Sequence, residues 1–167
     1  MGIGKINNFK SETIEYSTPI SIVAPLIKEF NLKKDVCASN ENHKLSDYWT
    51  KEDNSLTKEW DMNCWMNPPF NRSLQKWVRK AHTESLKHNN TIVCLIPVRS
   101  NTKWWYETMK DAEIRFINGE VNFNNLERGL WLPMCIVILG KQAQKGKFGF
   151  INYRTTANMR LANARSN

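Results

Sequence analysis

Residues 63–71 read Asn-Cys-Trp-Met-Asn-Pro-Pro-Phe-Asn, an apolar run that ends in an amide, two prolines and an aromatic ring. Such a grouping can hold a planar amino group for alkylation. The lone pair of an aromatic or amide nitrogen is delocalised into its π system and is a poor nucleophile, so a site that alkylates it must accept hydrogen bonds from its N–H groups. Asn67 offers its side-chain oxygen and Pro68 its backbone carbonyl, and neither needs to change protonation state. Pro68 and Pro69 fix φ and keep both acceptors aimed before a substrate arrives. Phe70 supplies a flat face on which a base turned out of its stack can rest. The competing reading is a proline-stiffened turn with no chemistry. The combination of amide, two prolines and aromatic ring is rare by chance at ordinary proline usage, which favours the functional reading.

These residues need an element to deliver them. Met62 to Met66 reads as a buried strand that Pro68 terminates, because proline can neither donate a ladder bond nor continue a sheet interior. Upstream, Ser17-Thr18-Pro19 precedes apolar residues at Val23, Leu26, Ile27 and Phe30, the spacing of an amphipathic helix that ends near Asn31. Lys33 to Cys37 reads as a short strand, and Ala38 to Lys58 as a polar loop. Downstream, Ser73 can cap a helix carrying Leu74, Trp77, Val78 and Ala81, closed at Asn89-Asn90. Thr91 to Ile96 is the clearest buried strand, closed by Pro97. Strand, loop, helix and strand form a βαβ unit, so the sheet is at least partly parallel. Thr102 to Met109 reads as another helix and Ile114 to Ile117 as a strand. Asn118-Gly119 signals a hairpin into Val121 to Phe123. Met134 to Leu139 is the last buried strand, and Lys141 to Asn167 is polar and basic. The expected fold is α/β, alternating strand and helix in its N-terminal part and antiparallel, with a hairpin, in its C-terminal part. In an open α/β sheet ligands collect beyond the carboxyl ends of the strands, and Asn67 to Phe70 sit at such an end.

At 167 residues the chain fits one ordinary domain. Its hydrophobic content of 41% and charged content of 24% fit a globular protein and exclude disorder. No apolar run approaches the roughly 18 residues of a membrane span, and the polar N-terminus lacks a signal-peptide core, so the expected location is the cytoplasm. Cys37, Cys64, Cys94 and Cys135 are far apart, without a CxxC pair or a His/Cys cluster, and read as reduced, packed thiols rather than a metal or disulfide set. His43, His82 and His88 are isolated and carry no catalytic constellation. A net charge of +8 and a pI near 9.4 favour a polyanionic partner. Trp104-Trp105 either line a base pocket or pack in the core, with at least one of the pair expected inward.

Four blocks occur in order: Ser17-Thr18-Pro19; Asp35-Val36-Cys37-Ala38-Ser39-Asn40; Met66-Asn67-Pro68-Pro69-Phe70; and Leu95-Ile96-Pro97-Val98-Arg99 with Trp104-Trp105. From about Tyr16 to Gly140 the chain resembles the small phage-type, Dam-like DNA N6-adenine methyltransferases. That resemblance implies a Rossmann-like class I fold, S-adenosylmethionine as cofactor and double-stranded DNA as partner. It implies that Asn67 and Pro68 hold the target N6 amino group, with Pro69 stiffening the turn and Phe70 stacking on the extruded adenine. Asp35 would lie near the methionine amine of the cofactor, and Thr18, Pro19 and Asn67 would help seat that end. It implies a catalytic domain over residues 1–140 and a basic C-terminal extension over 141–167.

Two features depart from the pattern. Cys37-Ala38-Ser39 stand where a glycine-rich cofactor turn is expected. Only Asn40 to Asn63 separate the two central blocks, so the fold is shortened, and the acid for the cofactor ribose is either Asp47 or Asp53 unless both are solvated loop charges. Arg72, in the loop from Asn71 to Ser73, and Arg99, Lys145, Lys147 and Arg154 are the candidates for phosphate contact. For Arg99 and for the tail, a solvated surface charge is the competing reading. Two other functions keep the same residues: methylation of an RNA base or a protein glutamine, and a non-catalytic DNA-binding module that has lost the cofactor.

Overall fold

The computed structural model describes residues 16–123 and 132–153. Along the chain these form α1 (Ile20–Phe30), β1 (Lys34–Asp35), β2 (Asp47–Tyr48), a 3-10 turn (Ser55–Thr57), β3 (Cys64–Met66), α2 (Leu74–Lys87), β4 (Thr91–Pro97), α3 (Lys103–Met109), β5 (Glu113–Asn118), β6 (Met134–Gly140) and β7 (Phe148–Asn152). The strands make one mixed sheet in the order β2-β1-β3-β4-β6-β5-β7. β1 pairs in parallel with β2 and β3, β3 with β4, and β5 with β7, whereas β6 runs antiparallel to both its neighbours. β6 is therefore the one strand among those described that runs against the rest.

The sheet is covered on both faces, which is why its central strands read as unbroken apolar runs rather than alternating ones. Ile92, Cys94 and Ile96 of β4, with Cys135, Val137 and Leu139 of β6, pack with Val78 and Ala81 of α2 and Trp105 and Met109 of α3. Val93, Leu95, Ile136 and Ile138 point the other way, to Ile22, Val23, Leu26 and Phe30 of α1. β4 and β6 pair over their whole length, from Thr91 opposite Gly140 to Pro97 opposite Met134. The Arg115 guanidinium of β5 clasps both carboxylate oxygens of Glu29 at 2.8 and 2.6 Å, fixing α1 to its face.

Several local features differ from the sequence reading. The antiparallel pairing in the C-terminal half is made by β6 against β4 and β5, not by a hairpin at Asn118-Gly119. Gly119 has φ +125, and the Asn118 carbonyl instead accepts the Tyr153 N–H at the far end of β7, so this turn leads the chain away from β5. The expected polar loop contains β2, which is only two residues long. The expected basic extension beyond Gly140 contains β7, a strand of the same sheet, so the boundary at Gly140 does not divide sheet from tail. Ser73 does not cap α2 with its side chain: it has helical dihedrals, and Asn71 Oδ1 accepts its N–H at 2.8 Å and its hydroxyl at 2.7 Å. Among the described residues no helix is long and apolar enough to cross a membrane.

One amide just before β3 ties three elements to the strand that carries the site. Asn63 Nδ2 donates to the Phe30 carbonyl at the end of α1 at 2.8 Å, Asn63 Oδ1 accepts the Thr91 N–H that opens β4 at 2.9 Å, and its carbonyl accepts the Lys33 N–H before β1 at 2.8 Å. Asn63→Ala leaves the first two of these backbone groups unpaired. The expected loss is about 2–4 kcal/mol, read from a urea midpoint that falls while the denaturant slope stays constant.

Candidate active site

β3 is buried throughout, and Pro68 ends it, so Asn67 emerges at the carboxyl end of a parallel strand flanked by β1 and β4. Asn67 Nδ2 donates to the Tyr16 carbonyl at 2.6 Å and to the Thr18 hydroxyl at 2.9 Å. The Tyr16 carbonyl can only accept, so the amide cannot be turned around: its nitrogen faces this segment and its oxygen faces away. Asn67 Oδ1 is buried and finds no hydrogen-bond donor among the described residues. An acceptor stripped of water and left unmatched among the described residues is open to a donor that those residues do not supply.

Pro68 is buried and Pro69 exposed. Phe70 is half-buried, with Tyr16 stacked on it at 5.4 Å between centroids and 15° between planes, and Phe123 edge-on at 5.8 Å. Tyr16 and Phe123 also touch each other at 5.2 Å. The sequence singled out neither Tyr16 nor Phe123 for this site. The only signal for Tyr16 was its position next to Ser17-Thr18-Pro19. Phe123 had none, because the fold alone brings it here.

The loop after β1 lies on the same side of the sheet. Asp35 is 2% exposed, and its carboxylate accepts the Cys37 N–H at 3.2 Å and the Lys44 N–H at 3.0 Å. Burial pushes its pKa up, against the opposing pull of those two N–H groups. Lys44 Nζ in turn donates to Ser17 Oγ at 2.9 Å, so the Asp35 loop and the Thr18 segment are joined. Ala38 N–H donates to the Trp49 carbonyl at 3.0 Å and Ser39 N–H to Asn42 Oδ1 at 2.7 Å. Cys37, Ala38 and Ser39 all keep negative φ, so the turn needs no glycine. Ser39 Oγ is buried and without a partner among the described residues, a second polar atom left open beyond the strand ends.

Asp47 and Asp53 occupy different ends of β2. Asp47 stands in register with Lys34 and is ion-paired to it at 2.5 Å. Asp53 follows the strand's carboxyl end, where it is exposed and accepts the Thr50 N–H at 2.8 Å, which holds its carboxyl below the usual range. Arg72 and Arg99 come together with Asn71, Leu74, Gln75 and Trp104 around an open cleft of about 350 Å³ beside the Asn67 loop. Trp105 packs in the core at 8% exposure, so the tryptophan pair divides between cleft and interior. Lys145 and Lys147 are exposed but precede β7, at the amino ends of the parallel strands and on the far side of β4, β6 and β5 from β3. Arg154 lies outside the described residues. Cys64, Cys94 and Cys135 are buried free thiols whose burial raises their pKa, to about 12 for Cys64 and Cys135. Among the described residues no three potential metal ligands cluster.

The fold is that of the α/β class with a mixed sheet, and Asn67 Oδ1, Ser39 Oγ and the cleft of Arg72 and Arg99 lie beyond the carboxyl ends of its strands, where ligands collect in open α/β sheets. The family of that class is given by comparison. The profile of the DNA N-6-adenine-methyltransferase (Dam) family matches residues 5–163. The chain is 37% identical over 130 residues to a DNA N-6-adenine-methyltransferase of Haemophilus phage HP1 (strain HP1c1), covering 75% of each chain. It is 34% identical over 110 residues to a DNA N-6-adenine-methyltransferase of Escherichia phage T1, covering 64% of this chain and 45% of that relative. The chain belongs to the DNA N-6-adenine-methyltransferase (Dam) family.

The orientation of the Asn67 amide is directly testable. Asn67→Asp sets a carboxylate oxygen against the Tyr16 carbonyl in place of a donor. Stability at neutral pH should fall by about 1–3 kcal/mol. Burial and lone-pair repulsion raise the pKa of the introduced acid, so the deficit is present above that pKa and shrinks as pH falls through it. Urea titrations across the acid range check both the sign and the window.

Proposed function

We propose that this chain transfers a methyl group from S-adenosylmethionine to the N6 amino group of adenine in double-stranded DNA, with Asn67 and Pro68 as the acceptors for that group. The observation that carries the assignment is the buried, donor-less Asn67 Oδ1, fixed in direction because both amide hydrogens are already engaged. We read the fold as a shortened class I methyltransferase sheet. The parallel run β1, β3 and β4, with the site beyond its carboxyl ends and only the two-residue β2 outside β1, supports that reading.

The residues present fit the cofactor. When bound, S-adenosylmethionine supplies an electrophilic methyl group on a sulfonium. Asp35 offers a buried carboxylate for the methionine amine, and its desolvation is the state that a bound cation would relieve. Thr18, Pro19 and the Cys37-Ala38-Ser39 turn form the adjoining wall, with Ser39 Oγ open to a polar partner. Asp53, on the carboxyl side of β2, is better placed than Asp47 to receive the ribose, since Lys34 already holds Asp47 at the other end.

On the substrate side, an adenine turned out of the duplex stacks against the half-buried Phe70 ring. Asn67 Oδ1 and the Pro68 carbonyl take hydrogen bonds from N6. On taking up the methyl group N6 would gain positive charge and both hydrogen bonds would strengthen, so these acceptors would favour the transition state over the ground state. Neither is a base at neutral pH, and the proton lost from N6 passes to water. Arg72 and Arg99 flank the cleft next to this loop and are set to hold the phosphates beside the extruded nucleotide.

Labelled methyl transfer to unmethylated DNA, followed by nucleoside digestion and chromatography, tests the proposal, with RNA and a protein mixture in parallel. Label at N6-methyladenine in DNA is expected. Label in another lane would change the substrate class, and DNA binding without transfer would leave a non-catalytic module. Asn67→Ala should lower kcat by roughly 10²–10³, with S-adenosylmethionine binding by calorimetry left intact. Full activity in this variant would refute the role of the amide.

Calorimetry also tests Asp35. Burial raises its pKa, so the ionised form needed for the methionine amine is lost as pH falls through that raised value. Affinity should hold above that pKa and decline as pH falls through it, at a pH higher than the roughly 3.9 of an ordinary aspartate. Asp35→Asn should bind weakly and without this dependence.

A further inference from the structure

We infer that the outermost strand carries a second nucleic-acid surface, a stacking platform for unpaired bases formed by Phe116, Phe148 and Phe150. Residues 145–153 read Lys-Gly-Lys-Phe-Gly-Phe-Ile-Asn-Tyr. Strands that stack bases in single-strand-binding sheets use a basic residue and a glycine, then aromatic, small, aromatic, aliphatic, any residue, aromatic. Phe148 to Tyr153 fit that order position by position, with Gly146 and Lys147 in reversed order before them.

The structure puts the rings where such a role needs them. β7 places Phe148 and Phe150 on one face of the sheet, while Ile151 turns to the other and packs against the α1-side core. Phe148 is 65% exposed and Phe150 78%. In register with them on β5 are Ile114 and Phe116. Ile114, beneath α2 and α3, is 2% exposed, so the helical cover ends between β5 and β7 and leaves the phenylalanines bare. Phe116 lies 6.3 Å from Phe148 with planes 9° apart, and 5.8 Å from Phe150, so the three rings form one surface.

Bare rings on a sheet edge need a partner with flat faces, and the local charge says which kind. The turn from Gln144 to Lys147, closed by a 2.9 Å bond from Lys147 N–H to the Gln144 carbonyl, sets exposed Lys145 and Lys147 at the entrance to β7. Flat bases on a polyanionic backbone match both features. β7 lies four strand spacings from β3, about 19 Å, so the platform takes a stretch of strand other than the target nucleotide. This inference needs only a polynucleotide partner, not transfer at Asn67.

The test uses the full chain and fluorescence anisotropy with labelled oligothymidine and oligouridine, which contain no adenine for the Asn67 site. Wild type should bind oligothymidine. Phe148→Ala with Phe150→Ala should weaken it by roughly ten-fold or more, with circular dichroism and urea midpoint unchanged because the rings are exposed. Phe148→Tyr with Phe150→Tyr should keep the affinity. Lys145→Ala with Lys147→Ala should flatten the salt dependence by about 0.7 for each phosphate no longer neutralised. Equal binding of both oligonucleotides would assign recognition to bases and phosphates alone, and a preference for oligothymidine would assign it to a DNA strand; either supports the platform. No binding by wild type, or an affinity untouched by removal of the rings, overturns it. So does a dimer that dissociates in the alanine variant while oligonucleotide binding persists, which would make the patch a contact between copies.

Discussion

The structure is organised by one amide. Asn67 stands at the end of a buried strand, and both of its hydrogens are spent on a segment about 50 residues earlier, at the Tyr16 carbonyl and the Thr18 hydroxyl. That pair of hydrogen bonds fixes the side chain against rotation, and so fixes the direction of its unpaired oxygen. It also closes the approach to α1 over the carboxyl edge of the sheet, which draws Tyr16 onto Phe70. Orientation of the amide and assembly of the aromatic cluster beside it therefore come from the same contact. Preorganisation of this kind removes the need to reorganise a polar group during the reaction.

The remaining elements serve to keep that amide still. β3 is only three residues long and cannot hold a position by its own ladder. It is set between β1 and β4, latched below by Asn63 and enclosed by two cores. β4 and β6 supply the rigid backing, with seven paired residues each and almost no exposed surface. Core packing is close to crystalline in density, so displacing any of these neighbours would be felt at Asn67.

Contiguous blocks were legible in the sequence, and contacts assembled by the fold were not. The positions of Asn67 to Phe70, Asp35 and Thr18 near the carboxyl edge were readable because each block couples a rare local composition to an apolar run that sets its place. β4 and β6 were readable because burial on both faces leaves an uninterrupted apolar signal. β2 was missed since two polar residues carry no period. β7 was missed because its phenylalanines point to solvent inside a basic segment, which hides the alternation. Asn118-Gly119 misled because the dipeptide reports a backbone bend and not which strand follows it. Tyr16 and Phe123 join the candidate site from positions more than 100 residues apart, and no local pattern encodes such a meeting. The division of Asp47 from Asp53 likewise required register, which only the paired strands provide.

The glycine-free turn after β1 has a consequence for the unfolded chain. Glycine has the widest backbone freedom of any residue and loses the most when a loop is ordered, whereas alanine at a compatible φ gains about 0.4–1 kcal/mol over it by narrowing the denatured ensemble. With Cys37, Ala38 and Ser39 all at negative φ, this loop begins its search from fewer conformations. A chain of this size buries a smaller share of its surface than a larger enzyme does, and has less hydrophobic free energy with which to order its loops. Composing the wall beyond β1 from short, restricted side chains lets a small sheet keep that wall in shape before anything binds to it.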